Sequence, residues 1–322
     1  MSSTVTAGGD PSLGAGPGSG APSLSLRQSS PRYGEKVVMA LLFVAGAMSV
    51  LITVGIVLAL LVPALAFFRE VSVWDFLTGT RWAPTFADSD FGVLPLITGT
   101  FWTTVIGLAI AVPFGLGAAV YLAEYADSRV RKVFKPVLEV LAGIPSVVYG
   151  YFALTFVGPV VLKGLLGINV GTFSVLAAGL VLGVMIIPTV ASLSEDAMSA
   201  VPQSLRHGSL ALGANKMRTT LRVVFPAAIS GIAASIVLAL SRAVGETMIV
   251  ALAAGTRAQI VTNPTSNGQT MTGFIAQTAT GESTPGTLTY NTLFAVGLLL
   301  FAITLVINIV SIRLVRRFRE AY

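Results

Sequence analysis

Six long apolar stretches without a charged residue, at 37–68, 91–123, 140–162, 164–194, 223–241 and 283–312, constrain this chain more than any other feature. A helix needs about 20 apolar residues to cross a hydrocarbon core of about 30 Å. Backbone polar groups in lipid must be satisfied within the segment itself, so the runs read as six transmembrane helices of an all-α polytopic protein. The fifth reaches spanning length only by continuing through Arg242 and Glu246 toward Ala254. Hydrophobic residues make up 54% of the 322 and charged residues 11%, proportions that exclude a soluble globular domain. The first run is too long for a signal peptide, and no small-residue cleavage pattern follows it.

Residues 1–34 are dominated by Gly, Ser, Pro and Ala and predict a disordered cytoplasmic tail, because they hold too little apolar surface to offset the entropy of ordering. Residues 35–322 then carry the six-helix membrane domain. With the N-terminus inside, fifteen of the twenty Lys and Arg fall on inner segments. Arg69, Arg81, Lys163 and Arg257 fall outside, and Arg242 lies in the membrane. Both termini are therefore expected in the cytoplasm. The basic excess reflects inner loops and does not imply nucleic-acid binding. The chain has no Cys and a single His, which leaves no disulfide framework and no clear metal site. No glycine-rich loop ending in Gly-Lys-Ser/Thr occurs, so any ATP and Mg would be bound by another chain. No catalytic residue and no cofactor are assigned to this one.

The run S-R-A-V-G-E-T-M-I-V at 241–250 places opposite charges in the fifth run. If one helix extends from Pro226 to about Ala254, Arg242 lies about 3 Å from its midpoint and Glu246 shares its face. An Arg at the bilayer centre costs about 2.5–3.5 kcal/mol, while an i,i+4 pair returns only about 0.2–0.5 kcal/mol. Both side chains should therefore avoid lipid. A structural ion pair, a proton relay through Glu246 and an anion pathway all fit. The planar fork of guanidinium favours the last, with Thr247 as a further hydroxyl that could equally bond back to its own helix. In A-G-I-P-S-V-V-Y-G at 142–150, Gly143, Pro145 and Gly150 predict a hinge in the third span, and Ser146 and Tyr149 are its polar groups in need of partners. The outer loop at 69–93 carries Glu70, Asp75, Asp88 and Asp90 against Arg69 and Arg81, and either docks a partner or is simply solvated.

The inner segment 194–226 is too polar to span and predicts two short amphipathic helices broken at Gly213. Lying on the inner membrane surface is their simplest placement. Gly213, nine residues and then Val223, Val224, Phe225 and Pro226 resemble the E-A-A coupling motif of ABC importer permeases. In that frame His207, Gly208 and Ser209 replace E-A-A, and Ala211, Leu212, Gly213, Ala214 and Pro226 complete the element. A-L-G-A at 211–214, A-G-I-P-S-V-V-Y-G, G-A-A-V-Y-L-A-E-Y at 117–125, F-L-T-G-T-R-W at 76–82 and S-R-A-V-G-E-T-M together resemble the permeases of the phosphate-specific Pst importer, the PstC-type subunit more than its PstA-type sister.

That resemblance implies a type I ABC importer permease fold and a phosphate pathway through Arg242, Glu246, Thr247, Ser146 and Tyr149. It also implies a PstA-type sister permease in a heterodimer, two copies of a PstB-type ATPase and an extracytoplasmic PstS-type phosphate-binding protein, with membrane lipid around the pair. Two other functions compete. A proton-coupled secondary anion transporter would work without an ATPase, and a membrane scaffold for a signalling kinase would not need the 194–226 segment for uptake.

Overall fold

A computed structural model describes residues 33–86, 88–281 and 284–317, and every long element among them is helical. Two compact units divide the chain, residues 1–54 and 55–322. The described part of the first unit is the leading portion of α1 (Tyr33–Glu70), whose side chains carry no charge from 37 to 68. Of the expected tail, residues 1–32 lie outside the described residues, and Tyr33 and Gly34 already belong to α1.

In the second unit, the outer segment after α1 folds on an aromatic cluster. The Ser72 hydroxyl accepts from the Trp74 N–H to start α2 (Val73–Thr78). Strands β1 (Trp82–Ala83) and β2 (Asp90–Phe91) pair antiparallel, Trp82 opposite Phe91. Phe67 meets Phe68, Phe76 and Phe91 edge-on, and Trp82 meets Phe76 and Phe274 in the same way. Edge-to-face geometry sets the positive ring edge against the negative face, adding to the burial of large apolar rings. The charged residues of this segment stay outside; Arg81 and Asp90 pair at 3.1 Å on the surface.

Helix α3 (Leu94–Val120) continues through a π-helical turn, Tyr121–Tyr125. Amphipathic α4 (Ser128–Ala142) follows, then α5 (Ser146–Phe152), which runs on as a π-helix, Ala153–Leu165. Next come α6 (Val175–Ser199), α7 (Gln203–Ala211) and α8 (Lys216–Thr219). A π-helical turn, Thr220–Val224, leads into α9 (Phe225–Ala227), α10 (Ile229–Val244) and α11 (Met248–Ala253). Helices α12 (Met271–Thr280) and α13 (Leu288–Arg317) close the described chain. Five helices are long and apolar enough to cross a membrane, and a bent pair, Lys216–Ala227 with Ile229–Val244, makes the sixth.

Two spans differ from the sequence expectation. The third begins at Ser146 instead of 140, because Pro145 disfavours helical backbone in the residue before it and has no N–H to continue a helix. Glu139 belongs to α4, and Gly143 and Pro145 form a corner ahead of the span in place of a hinge within it. The fifth span is not one helix from Pro226 to Ala254. It bends by 69° at Ala228 and breaks again after Val244. Pro226 and the adjoining π-helical turn remove regular i→i−4 bonds just before the bend, a recognised cause of kinks.

Helices α3 and α6 form the central pair. A Cβ on Gly183 would come within 2.8 Å of the Gly107 carbonyl oxygen, so these backbones meet more closely than any side chain would permit. Helix α10 joins α6 through the buried Ser194 and Ser235 hydroxyls, 2.7 Å apart.

Candidate functional site

The opposite charges of 241–250 flank a helix break. Arg242 stands in the last turn of α10, where a cation complements the negative end of the helix dipole. Gly245 ends that helix, and Glu246 turns its carboxylate onto the first amides of α11, Oε1 accepting from Met248 N–H at 3.1 Å and Ile249 N–H at 3.3 Å. The two are consequently not neighbours on one helical face, and no ion pair joins them. Arg242 instead donates from Nη1 to the Thr189 hydroxyl of α6 at 3.3 Å and has no carboxylate partner. The 13 steps from Ile229 to Arg242 rise about 20 Å at about 1.5 Å each, which leaves the guanidinium inside a hydrocarbon core of about 30 Å when Ile229 marks its inner edge.

Arg242 does not point into this chain's own bundle. It is exposed on the surface of the single chain. The expectation that it avoids lipid can then hold only if a second protein surface covers it. Around it lie Thr189, which the sequence reading missed, and Tyr149, whose phenol is within reach of the guanidinium's field. Thr189 follows Pro188 in mid-helix, and a hydroxyl beside a helix-interrupting proline was the available signal. The Tyr149 hydroxyl is already engaged, donating to Leu141 O at 3.0 Å across the Gly143–Pro145 corner. Thr247 donates to Gly245 O at 3.3 Å, a local back-bond. Ser146 opens α5, half-buried. Gly150 lies inside continuous α5, and its missing Cβ lets α11 approach, since a methyl there would meet Met248 O at 3.0 Å and Ile249 Cα at 3.1 Å. The Glu246 carbonyl accepts from the Thr272 hydroxyl at 2.7 Å, which ties the break to α12.

At the other end of the same segment are the short helices α7 and α8. Helix α7 ends in a Schellman turn, with Ala214 N–H bonding Ser209 O and Gly213 N–H bonding Leu210 O. Gly213 takes φ +82°, the left-handed conformation that such a turn requires. The hydroxyls of Ser209 and Thr219, 2.9 Å apart, brace α7 against α8. His207, Gly208, Ala211 and Leu212 are exposed, Leu212 at 90%, while Ala214 is half-buried and Pro226 heads α9. One strong pair was overlooked. Arg206 is buried and donates to Glu124 Oε1 at 2.9 and 3.2 Å and to the carbonyls of Val201 and Met198. It fastens α7 to the end of the second span. Beside it, Arg131 and Lys135 of α4 hold the buried carboxylate of Glu195 on α6. The acidic residue in A-E-Y at the end of an apolar run was the visible clue to the first pair.

Residues 111–320 match the family described as the binding-protein-dependent transport system inner membrane component. Among curated relatives, a probable ABC transporter permease, YqgH of Bacillus subtilis, is 38% identical over 90% of this chain and 91% of its own length. The phosphate transport system permease protein PstC of Mesorhizobium japonicum is 34% identical over 73% of this chain and 76% of its own. In fold, the chain is similar to a protein of the bacterial alginate ABC transporter crystallised with its alginate-bound periplasmic protein, at TM-score 0.61 and 15% identity over 90% of this chain and 99% of that one. The broken span, the paired inner helices and these matches agree, and the chain belongs to the family of binding-protein-dependent ABC importer permeases of the inner membrane.

Proposed function

We propose that this chain is the PstC-type permease of an ATP-driven phosphate importer. The observation that carries this is Arg242, a guanidinium at membrane depth without a carboxylate partner, on the open face of the chain and on the segment that begins in the coupling element. A bidentate donor of this kind suits a phosphate oxyanion. Its exposure supports a PstA-type sister permease whose surface would complete the pathway. The exposed apolar side chains of Leu210, Leu212, Met217 and Leu221 support docking of α7 and α8 on one of two PstB-type ATPases, which would hold ATP and Mg. An external PstS-type protein would deliver phosphate. The relative named PstC supports the substrate.

Nothing in the setting of Glu246, whose Oε1 accepts from two backbone amides, favours the proton-coupled alternative. The test is reconstitution with the sister permease, ATPase and binding protein, then ATP-dependent phosphate uptake. Arg242→Ala should abolish uptake while leaving assembly intact; near-normal uptake would reject the pathway assignment.

A further inference from the structure

Helix α4 is fastened to the molecule by charge. The buried apolar clusters of the described residues draw nothing from it, and Val133, Phe134, Val137 and Val140 are exposed along one side. On the other side it packs against α6. Arg131 donates to Glu195 Oε1 and to the Ser199 hydroxyl, and Lys135 donates to Glu195 Oε2 at 3.0 Å and to Asp196. The Ser199 hydroxyl in turn donates to Glu195 Oε1 at 2.9 Å. Glu195 is 1% exposed, whereas the side chains of Arg131 and Lys135 keep 37% and 32% of their surface. That asymmetry decides how the contact can break. The half-solvated cations can exchange the carboxylate for water, but a buried carboxylate stripped of partners is strongly disfavoured. Helix α4 can therefore leave α6 only as water enters the seam between them.

The seam begins at Arg242. Thr189, which accepts from Arg242, stands six residues before Glu195 on α6, about 9 Å of helical rise. At its far end α4 reaches the same corner, where Leu141 O accepts from the Tyr149 hydroxyl and Tyr149 lies in the field of the Arg242 guanidinium. Gly143 ends α4 there, and Pro145, without an N–H, precedes α5, a corner on which the helix can pivot. The charged end adjoins α7. Arg206 donates to Met198 O, in the same turn of α6 that carries Glu195 and Ser199, so a displacement of α7 pulls on the ion pairs.

We infer that α4 is a gate over the stretch from Arg242 to the end of α6, pivoting at Gly143 and Pro145 and latched shut by Glu195. The inference rests on the pathway assignment of Arg242. Glu195 is a positioning residue here, acting through Arg131 and Lys135.

The chain has no Cys, so a single substitution can report on the seam. Leu138 and Ala142 are half-buried and share the face of α4 that holds Arg131 and Lys135. In the complete importer in lipid nanodiscs, with partner subunits free of reactive cysteine, a water-soluble maleimide should modify Leu138→Cys at rates about tenfold apart in the nucleotide-free state and in the state trapped with ATP and vanadate. Ala142→Cys serves as a second reporter. Glu195→Gln should raise the protected-state rate to that of the accessible state and leave the accessible state unchanged. A rise in both states is general loosening and overturns the latch. Where Glu195→Gln does not assemble, Lys135→Gln, which keeps Arg131 on the carboxylate, should shift the protected-state rate in the same sense. A state-dependent rate that neither variant alters also overturns Glu195 as the latch. Equal rates in the two states, in an importer that still takes up phosphate, overturn the gate and leave the Arg242 assignment standing; that assignment fails separately, through near-normal uptake in Arg242→Ala.

Discussion

Arg242 and Glu246 each stand at the end of a half-helix whose dipole they complement, so they can be separated by substitution. Glu246 acts through Oε1 alone, accepting two amide hydrogens. Gln keeps an oxygen in that place, whereas Ala leaves both donors bare. Glu246→Gln should thus retain uptake within a few-fold, and Glu246→Ala should lose about 1 kcal/mol of local stability with most of the uptake. Loss of uptake in Glu246→Gln, measured in reconstituted vesicles, would instead return the residue to proton transfer. For Arg242, Lys preserves the charge but not the planar fork, and uptake should fall by about tenfold or more. A Lys variant that transports normally would show that only the charge matters. Both charged residues were visible in the sequence as an unexplained cost. What it left hidden was the break between them, although Gly245 followed by Glu and Thr before an apolar run is an ordinary signal for one helix stopping and another starting.

Helices α7 and α8 show why local chemistry was easier to read than long-range pairing. Gly213, the two short helices and their amphipathic pattern depend on neighbours in sequence and were legible. The acidic partner of Arg206, Glu124, is 82 residues away and near at hand only in space. The pair is buried on both sides, so removing one partner strands the other, a loss of about 3–5 kcal/mol. Glu124→Ala should therefore uncouple ATP hydrolysis from transport or lower thermal stability in lipid by that order. Exchanging the two, Glu124→Arg with Arg206→Glu, should fail to rescue, because a carboxylate at 206 would face the Val201 and Met198 carbonyls that now accept from the guanidinium. Recovery in the exchanged protein would mean that charge alone holds α7. Gly213→Ala isolates the backbone contribution. Nothing lies within 4 Å of the added methyl, so only the left-handed conformation opposes it, at about 1–2 kcal/mol. Weaker ATPase binding is expected, with Gly213→Asn milder than Gly213→Ala.

As a whole molecule the chain leaves Arg242 exposed on the span formed by α10. The six apolar runs made the span count legible because length and hydropathy are properties of single segments. The face that carries Arg242 was not legible, since facing is decided by packing among α5, α6, α10 and α11. The pattern also hides that the chain's own interior is built from α3 and α6, with the charged corner left outside. This arrangement predicts a difference between the chain alone and the chain in its complex. Alone, the guanidinium meets lipid and carries a penalty of about 2.5–3.5 kcal/mol. Arg242→Leu removes that penalty, so the variant expressed without a sister permease should resist proteolysis longer than the unaltered chain. Coexpressed with the sister, the unaltered chain has the guanidinium covered, and the advantage of Leu should shrink to nearly nothing while uptake is lost. The measurement is the half-life of each protein in membranes, with and without the sister subunit. Equal half-lives for the two lone chains would mean that Arg242 is sheltered within its own subunit, and the completed pathway would then have to be sought on another face.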